Sequence, residues 1–220
     1  MNGGPADLAG SSISGEYLRK NVAEFTEWGG EAWARLTKYA LVRLGALENK
    51  RVLEIGCRFG KMTCLFALLG AEVTALETDA SAIPMAQEAV NHWGVSARVS
   101  LLHYDGDLSH CSGLKGKQFD IIFSKSVLVL LCDALPRFLH GLNELLVPGG
   151  HCVFIENAYG GRIFALIRCL RYRQLRLRGV EYFTRFHLQM ISAIFEIQEL
   201  KKSYFPPIYL IIGCKKCSHS

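Results

Sequence analysis

A turn with two glycines lies between a short apolar run and an amphipathic segment in the first half of the chain. The turn reads Gly56-Cys-Arg-Phe-Gly60, and Glu54 stands two positions before it. Glycines at a turn from a strand into a helix let the backbone bend tightly and approach a ligand at the N-terminus of the helix. The turn therefore indicates a ligand site, although a glycine-spaced turn alone is a weak signal.

An acidic residue stands at a suitable distance beyond the turn. Glu77 ends the next apolar run, 17 residues after Gly60. In nucleotide-binding βαβ units, an acid about 20 residues beyond the turn accepts hydrogen bonds from ribose hydroxyls. A carboxylate suits this task because it only accepts hydrogen bonds and can take two donors. The alternative is a solvated charge at a strand end, but the preceding turn favours the ligand role.

A third candidate comes after the next apolar run, at Tyr104-Asp105-Gly106. An Asp at the carboxyl edge of a parallel strand faces the ligand side of the sheet, where it can accept from the exocyclic amine of adenine. An ordinary Asp-Gly turn would have the same sequence, so this motif by itself leaves both interpretations open.

The elements that would position these residues alternate between strands and helices. Strands are predicted at Arg51–Ile55, Glu72–Glu77, Ala97–His103, Phe119–Ser124 and His151–Glu156. Helices are predicted around Cys64–Leu68, at Ala80–Trp93 and at Ala134–Leu146, after two N-terminal pieces within residues 16–46. This alternation predicts βαβ units and a parallel sheet. Gln198–Phe205 and Tyr209–Lys215, separated by two prolines, predict a terminal antiparallel hairpin.

The composition agrees with an ordinary globular protein. Half of the 220 residues are hydrophobic and one fifth are charged, with a net charge of +5. Neither a secretory signal nor an apolar run of ~18–20 residues is present, so we expect a cytoplasmic protein. Cys214 and Cys217 form a Cys-x-x-Cys near His219, but a metal site would need a second ligand pair, and we expect none.

Five motifs in order resemble the class I S-adenosylmethionine-dependent methyltransferases, in particular the type 11 methyltransferase-domain group. The resemblance covers residues from about 50 to 156. The motifs are Val52-Leu-Glu-Ile-Gly-Cys57, Ala75-Leu-Glu77, Asp105, Phe119-Asp120 with the strand end at Ser124, and Leu146-Val-Pro-Gly-Gly150. The family usually has a glycine in the middle of the loop where this chain has Arg58, whose side chain must point away from the cofactor or partly fill its site.

The resemblance implies a Rossmann-like, doubly wound α/β fold with a mostly parallel seven-stranded sheet and a C-terminal antiparallel hairpin. Residues 1–48 would form N-terminal cap helices on one domain at 49–220, with a basic lid insertion at about 159–190. The implied cofactor is S-adenosyl-L-methionine. The residues expected to bind it are Glu54, Gly56, Cys57, Gly60, Glu77, Thr78, Asp105, Gly106 and Ser124.

The implied reaction is methylation of an oxygen or nitrogen on a small-molecule or lipid-linked acceptor. Methyl transfer is an in-line displacement, so proximity and orientation dominate, and a base is needed only when the acceptor must lose a proton. Weak candidates are Lys125 beyond the fourth strand and Asn157 and Tyr159 beyond the fifth. His187 is a further candidate, although a role on a helix face is favoured for it.

The segment Arg162–Arg178 contains six arginines and no acidic residue, with an apolar helical arc opposite the charges. Such a segment can contact an anionic membrane or hold a phosphate-bearing substrate. A lid helix with solvated arginines is the plainer interpretation and is slightly favoured. No nucleic-acid partner is expected, since few aromatic residues interleave with the arginines.

Three other functions share parts of this pattern. A nicotinamide-dependent oxidoreductase would want Gly-x-Gly-x-x-Gly, but Arg58 and Lys61 occupy glycine positions of that motif. A non-catalytic binding or scaffold protein on the same fold draws its support from Arg58. A methyltransferase of nucleic-acid base amines would carry a Pro-Pro-aromatic motif after the fourth strand, where this chain has Ser124-Lys-Ser126. The oligomeric state stays open.

Overall fold

The computed structural model describes residues 15–26, 30–159 and 183–216. The chain divides into two compact units, Met1–Gly106 and Asp107–Ser220. The strands within the described ranges have the order β3-β2-β1-β4-β5-β7-β6 in a seven-stranded sheet. The predicted fold class, α/β with a mostly parallel seven-stranded sheet, is confirmed.

Three parallel strands form the centre of the first unit. They are β1 (Arg51–Ile55), β2 (Glu72–Glu77) and β3 (Val99–His103), and β2 pairs with both of the others. After an exposed first residue, β1 and β2 are buried throughout, which agrees with strands covered on both faces. All three strands were predicted. The prediction for β3 began at Ala97, two residues before the observed start at Val99.

The described part of the same unit contains four α-helices: α1 (Gly15–Lys20), α2 (Gly30–Leu44), α3 (Lys61–Leu68) and α4 (Ile83–His92). In α2 the side chains of Trp33, Leu36, Ala40 and Leu41 are buried, and Leu44 is half-buried. Helix α4 begins at Ile83, later than predicted, because Asp79 accepts hydrogen bonds from the backbone N–H and hydroxyl of Ser81 in a turn before the helix.

In the second unit, residues 107–159 and 183–216 contain four strands and two α-helices. Strands β4 (Phe119–Lys125) and β5 (Leu146–Asn157) are parallel, while β6 (Phe195–Tyr204) and β7 (Pro207–Lys215) form the predicted antiparallel hairpin. Strand β7 also pairs antiparallel with β5. Helix α5 spans Leu135–Leu145 and α6 spans Arg185–Ile194.

Strand β5 starts earlier than predicted. Leu146 already pairs with Phe119 of β4, and the register then shifts so that His151 pairs with Ile121. The prolyl-glycyl turn predicted to precede the strand is therefore an irregularity inside it, with Gly149 in the left-handed region at φ 73°. A partner strand 27 residues away sets this boundary, and local sequence does not reveal it.

Two sequence features lie outside the described residues: the arginine-rich segment at 162–178 and the tail that includes Cys217 and His219. Among the helices that the structure does describe, none is both long enough and apolar enough to cross a membrane.

Candidate functional site

The glycine loop connects β1 to α3. Gly56 and Gly60 both lie in the left-handed region, at φ 75°, which explains why glycine stands at both positions. A Cβ on Gly60 would come within 3.1 Å of the Cα of Ala86 in α4, so a side chain has no room there. The N–H groups of Gly56 and Cys57 both donate to the carbonyl of Leu76, at 2.9 and 3.0 Å. The start of the loop is thus fastened to the end of β2.

Glu77 joins the same loop to the end of β2 by its side chain. The residue is only 8% exposed. Its Oε2 accepts the backbone N–H of Arg58 at 2.7 Å. Its Oε1 accepts the backbone N–H groups of Thr78 and Asp79 at 2.8 and 2.9 Å. The Thr78 hydroxyl also donates to Oε1, at 3.4 Å. A carboxylate oxygen offers two acceptor positions, so these four bonds orient the group and leave Oε2 able to accept another donor.

Glu54 is buried and binds helix α3. The hydroxyl of Thr63 donates to Glu54 Oε2 at 2.6 Å, across the glycine loop. Burial and, secondarily, the Glu54 charge raise the pKa of the neighbouring Cys64 thiol to about 12, so this cysteine stays protonated. Thr63 was not predicted as a site residue, because a hydrogen bond between a strand and a helix cannot be recognised from the sequence pattern.

Arg58 occupies the position where the family usually has glycine, and its backbone explains that preference. Its φ of 47° lies in the left-handed region, which is unfavourable for a residue with a Cβ. The side chain is exposed, and its guanidinium lies over the ring of Phe59 at 4.8 Å from the centroid. Its backbone N–H donates to the Glu77 carboxylate, so Arg58 takes part in the contact between the loop and β2.

Relief of this backbone strain is measurable. We expect Arg58→Gly to be about 1 kcal/mol more stable to unfolding than Arg58→Ala, because both lose the guanidinium and only glycine relaxes the left-handed backbone. Urea unfolding of the two variants tests this difference. If the urea midpoints and slopes of Arg58→Gly and Arg58→Ala are equal, the backbone at position 58 is not strained.

The third predicted motif lies beside Glu77. The N–H of Tyr104 donates to the Glu77 carbonyl at 3.1 Å, which brings the residues after β3 next to the end of β2. Asp105 is exposed there, and Gly106 has φ 98°. The carbonyl of Thr78 lies 3.2 Å from His103 Nε2. Within the first unit, the glycine loop, Glu77 and the Asp105 turn therefore lie at the carboxyl ends of three adjacent parallel strands.

Ser124 belongs to the second unit, near the end of β4. It is fully buried, and its hydroxyl has no hydrogen-bond partner among the described residues. A buried hydroxyl without a partner is costly and is usually satisfied by water or a ligand. This is the behaviour expected of a side chain that lines a binding site.

Glu156, near the end of β5, is a buried acid that was not predicted as a site residue. Its Oε1 accepts the N–H groups of Val127 and Leu128, both at 3.1 Å, and holds the turn after β4. Its Oε2 has no hydrogen-bond partner among the described residues. Burial raises the pKa of this carboxyl to about 8, although the backbone hydrogen bonds oppose the shift. The sequence did contain a sign of this buried acid, because Glu156 directly follows the apolar residues Val153-Phe-Ile155 of a predicted strand.

The side chains of Asn157 and His187 form hydrogen bonds within their own surroundings. The Asn157 amide donates to the hydroxyl of Ser126 at 2.8 Å. His187 is buried at the start of α6, where its Nδ1 accepts the N–H of Thr184 at 3.1 Å in a capping box. The favoured interpretation of His187 as a helix residue agrees with this cap. Lys125 is half-buried at the end of β4, and Tyr159 is exposed after β5.

Several cysteines within the described ranges are free thiols. Cys57, Cys64, Cys111 and Cys152 are buried, and Cys214 is half-buried. In the same ranges, no group of three or more His, Cys, Asp or Glu side chains is arranged to hold a metal ion.

Parallel strands, a glycine loop after β1 and an acid at the end of β2 define a Rossmann-like α/β fold. Residues 53–154 match the family model described as a methyltransferase domain. This match spans less than half of the 220 residues and identifies a methyltransferase domain within the chain.

Among curated proteins, the ubiquinone biosynthesis O-methyltransferase of Chelativorans sp. (strain BNC1) is 29% identical over 138 residues, which cover 63% of this chain and 49% of that protein. The malonyl-[acyl-carrier protein] O-methyltransferase of Enterobacter lignolyticus (strain SCF1) is 32% identical over 52% of this chain and 41% of that protein. The chain thus spans about half the length of these relatives, or less.

Solved structures show the same fold. The N-methyltransferase NodS from Bradyrhizobium japonicum WM9, in complex with S-adenosyl-L-homocysteine, aligns with a TM-score of 0.65 at 21% identity, over 92% of this chain and 98% of that one. An S-adenosylmethionine-dependent methyltransferase from Mesorhizobium loti aligns with a TM-score of 0.66 at 20% identity, over 85% of this chain and 99% of that one.

Proposed function

We propose that this chain binds S-adenosyl-L-methionine and transfers its methyl group to an oxygen or nitrogen of a small-molecule or lipid-linked acceptor. The observation that carries the proposal is the Glu77 carboxylate, held by three backbone N–H groups between the glycine loop and the end of β2. A buried acid kept in one orientation with a spare acceptor position suits a ribose hydroxyl.

The residues present fit such a cofactor. Glu77 Oε2 would accept from a ribose hydroxyl, and Asp105 from the adenine amine. The small residues of the loop, Gly56 and Gly60, would let the backbone approach the ligand. The unpartnered hydroxyl of Ser124 would gain a hydrogen-bond partner from a ligand or its water. Four further residues were expected to bind the cofactor. We propose that they shape the glycine loop and the ends of β2 and β3 around it: Glu54, Cys57, Thr78 and Gly106.

When bound, the cofactor supplies a methyl group on a positively charged sulfonium. The contribution of the chain is to hold both reactants in line and to keep bulk water from the reacting atoms. Where the acceptor must lose a proton, the candidates are Lys125, the last residue of β4, and Tyr159, two residues after β5. His187 is set aside because its ring caps α6.

The names of the relatives guide the choice of acceptors. One relative is named for methylation in ubiquinone biosynthesis, one for a malonyl group on an acyl-carrier protein, and NodS is an N-methyltransferase. Phenolic hydroxyls, carrier-linked carboxylates and amines are therefore the first acceptor classes to screen. The arginine-rich sequence at 162–178 would favour acceptors that carry phosphate or an anionic lipid group.

Calorimetric titration of the full chain with S-adenosylhomocysteine and, separately, with NADH tests the cofactor. We expect S-adenosylhomocysteine to bind and NADH not to bind. Binding of NADH alone would favour the oxidoreductase, and binding of neither would favour a scaffold protein. If S-adenosylhomocysteine binds, transfer of a radiolabelled methyl group to the acceptor classes above separates an enzyme from a protein that only binds the cofactor.

A further inference from the structure

The β6–β7 turn exposes two aromatic side chains to an unusual degree. Tyr204 is 79% exposed and Phe205 is 82% exposed, the two highest values among the large hydrophobic residues that the structure describes. Tyr204 pairs with Pro207 across the hairpin, so the backbone holds both rings at its end. We call residues 201–206 the hairpin tip. The strand β6 that leads into it is the last in the sheet order.

Positive charge accompanies these rings. Lys201 and Lys202 are exposed, and the Lys202 ammonium lies 5.3 Å from the centroid of the Tyr204 ring and 5.4 Å from that of Tyr209. No residue from 200 to 216 is acidic. Lysine on an edge strand also discourages pairing with another strand, so an added strand is a poor candidate for the partner of this surface.

The tip lies at a defined end of the second unit. Asn157, the last residue of β5, pairs with Ile208, and the N–H of Ala158 donates to the carbonyl of Pro207 at 3.0 Å. The exposed Tyr159 comes directly after Ala158. The aromatic tip is therefore at the carboxyl end of β5, the end at which ligands approach the strands of open α/β sheets.

We propose that the hairpin tip docks on the surface of an anionic lipid bilayer. Tyrosine and phenylalanine on a narrow projecting turn can enter the interfacial region, where amphipathic and apolar rings are stabilised. The lysines would stay at the level of the phosphates, with their aliphatic stems along the rings. Charge complementarity favours an anionic bilayer because the flanking side chains are basic and acids are absent from residues 200–216.

Docking in this way would bring the carboxyl end of β5 close to the bilayer. An acceptor dissolved in the membrane could then reach the carboxyl end of β5 without leaving the lipid. This consequence rests on the proposed methyl transfer, whereas the docking itself does not depend on it.

Sedimentation of the full chain with vesicles tests the proposal. The vesicles are phosphatidylcholine alone or phosphatidylcholine with about one third phosphatidylserine. We expect binding to the anionic vesicles, weakened by high salt. The double variant Tyr204→Ser/Phe205→Ser should bind at least tenfold more weakly. Lys201→Gln/Lys202→Gln should bind about 30-fold more weakly, from the interfacial contribution of each lysine.

The control is Val42→Ser/Met85→Ser, which removes two exposed apolar side chains from helices of the first unit and should bind like wild type. Equal binding of wild type and the aromatic tip variant would overturn the proposal and direct attention to the arginine-rich sequence. Absence of wild-type binding to anionic vesicles would also overturn it. Titration with S-adenosylhomocysteine on the same variants, expected to match wild type, keeps this outcome separate from failure of the proposed function.

Discussion

Replacing Glu77 by alanine is expected to weaken binding of S-adenosylhomocysteine at least tenfold, about 1.4 kcal/mol. The substitution removes the acceptor that we assign to the ribose. It also leaves the N–H groups of Arg58, Thr78 and Asp79 without the carboxylate that orients them. The first effect removes a hydrogen bond to the ligand, and the second lets the loop leave its binding conformation, so calorimetric titration should show a large loss of affinity.

Two further variants make this result specific. Glu77→Gln keeps the size of the side chain but turns an amide N–H₂ toward backbone donors, so we expect it to bind nearly as weakly as alanine. The matched control is Glu72→Gln at the other end of β2, where the carboxylate forms an exposed ion pair with Arg98 at 2.8 Å. This control should bind like wild type. Unchanged affinity in a folded Glu77→Ala protein would remove Glu77 from the site.

The second large effect concerns pH and Glu156. Burial raises the pKa of this carboxyl from 4.5 to about 8. The folded protein therefore holds a proton that the unfolded chain releases above pH ~4.5. The contribution to stability is fully present below that pH and is lost as the pH rises through about 8. Between pH 5 and 8, the loss in the free energy of unfolding should be about 3–4 kcal/mol.

Comparison with Glu156→Gln isolates this contribution from other titrating groups. Glutamine resembles the protonated acid, and its amide oxygen can still accept from Val127 and Leu128. The difference in the free energy of unfolding between wild type and Glu156→Gln should therefore change by about 3–4 kcal/mol between pH 5 and 8. Urea unfolding at several pH values measures it. Glu144→Gln, at an exposed acid of α5, should behave like wild type, and a pH dependence that survives in Glu156→Gln would assign it to another group.

The predictable part of the fold rests on local patterns. Short apolar runs such as Arg51–Ile55 and Glu72–Glu77 predicted strands that the structure contains with the same bounds. Strands buried on both faces need continuous apolar residues, which can be recognised from the sequence alone. The terminal hairpin was similarly marked by two strand-like runs on either side of a proline turn, and the structure pairs them as an antiparallel hairpin.

The glycine loop and Glu77 were predictable for a related reason. Backbone conformations near φ 75° favour glycine, so the turn can be recognised in the sequence from Gly56 and Gly60. An acid at the end of the next strand then has a characteristic separation from the loop. That the backbone of Arg58 would donate to this acid was not predictable, because the contact depends on how the loop folds against β2.

Contacts between residues distant in the chain were decided by the tertiary structure alone. The start of β5 depends on pairing between Leu146 and Phe119, and the burial of Glu156 depends on the turn that its carboxylate holds after β4. The bond from Thr63 to Glu54 likewise joins a helix to a strand. Sequence by itself determined the strands, the turns and the residue types of the site, because propensity and periodicity act locally. The protonation of Glu156, the partners of the buried side chains and the start of β5 were set by neighbours that only folding brings together.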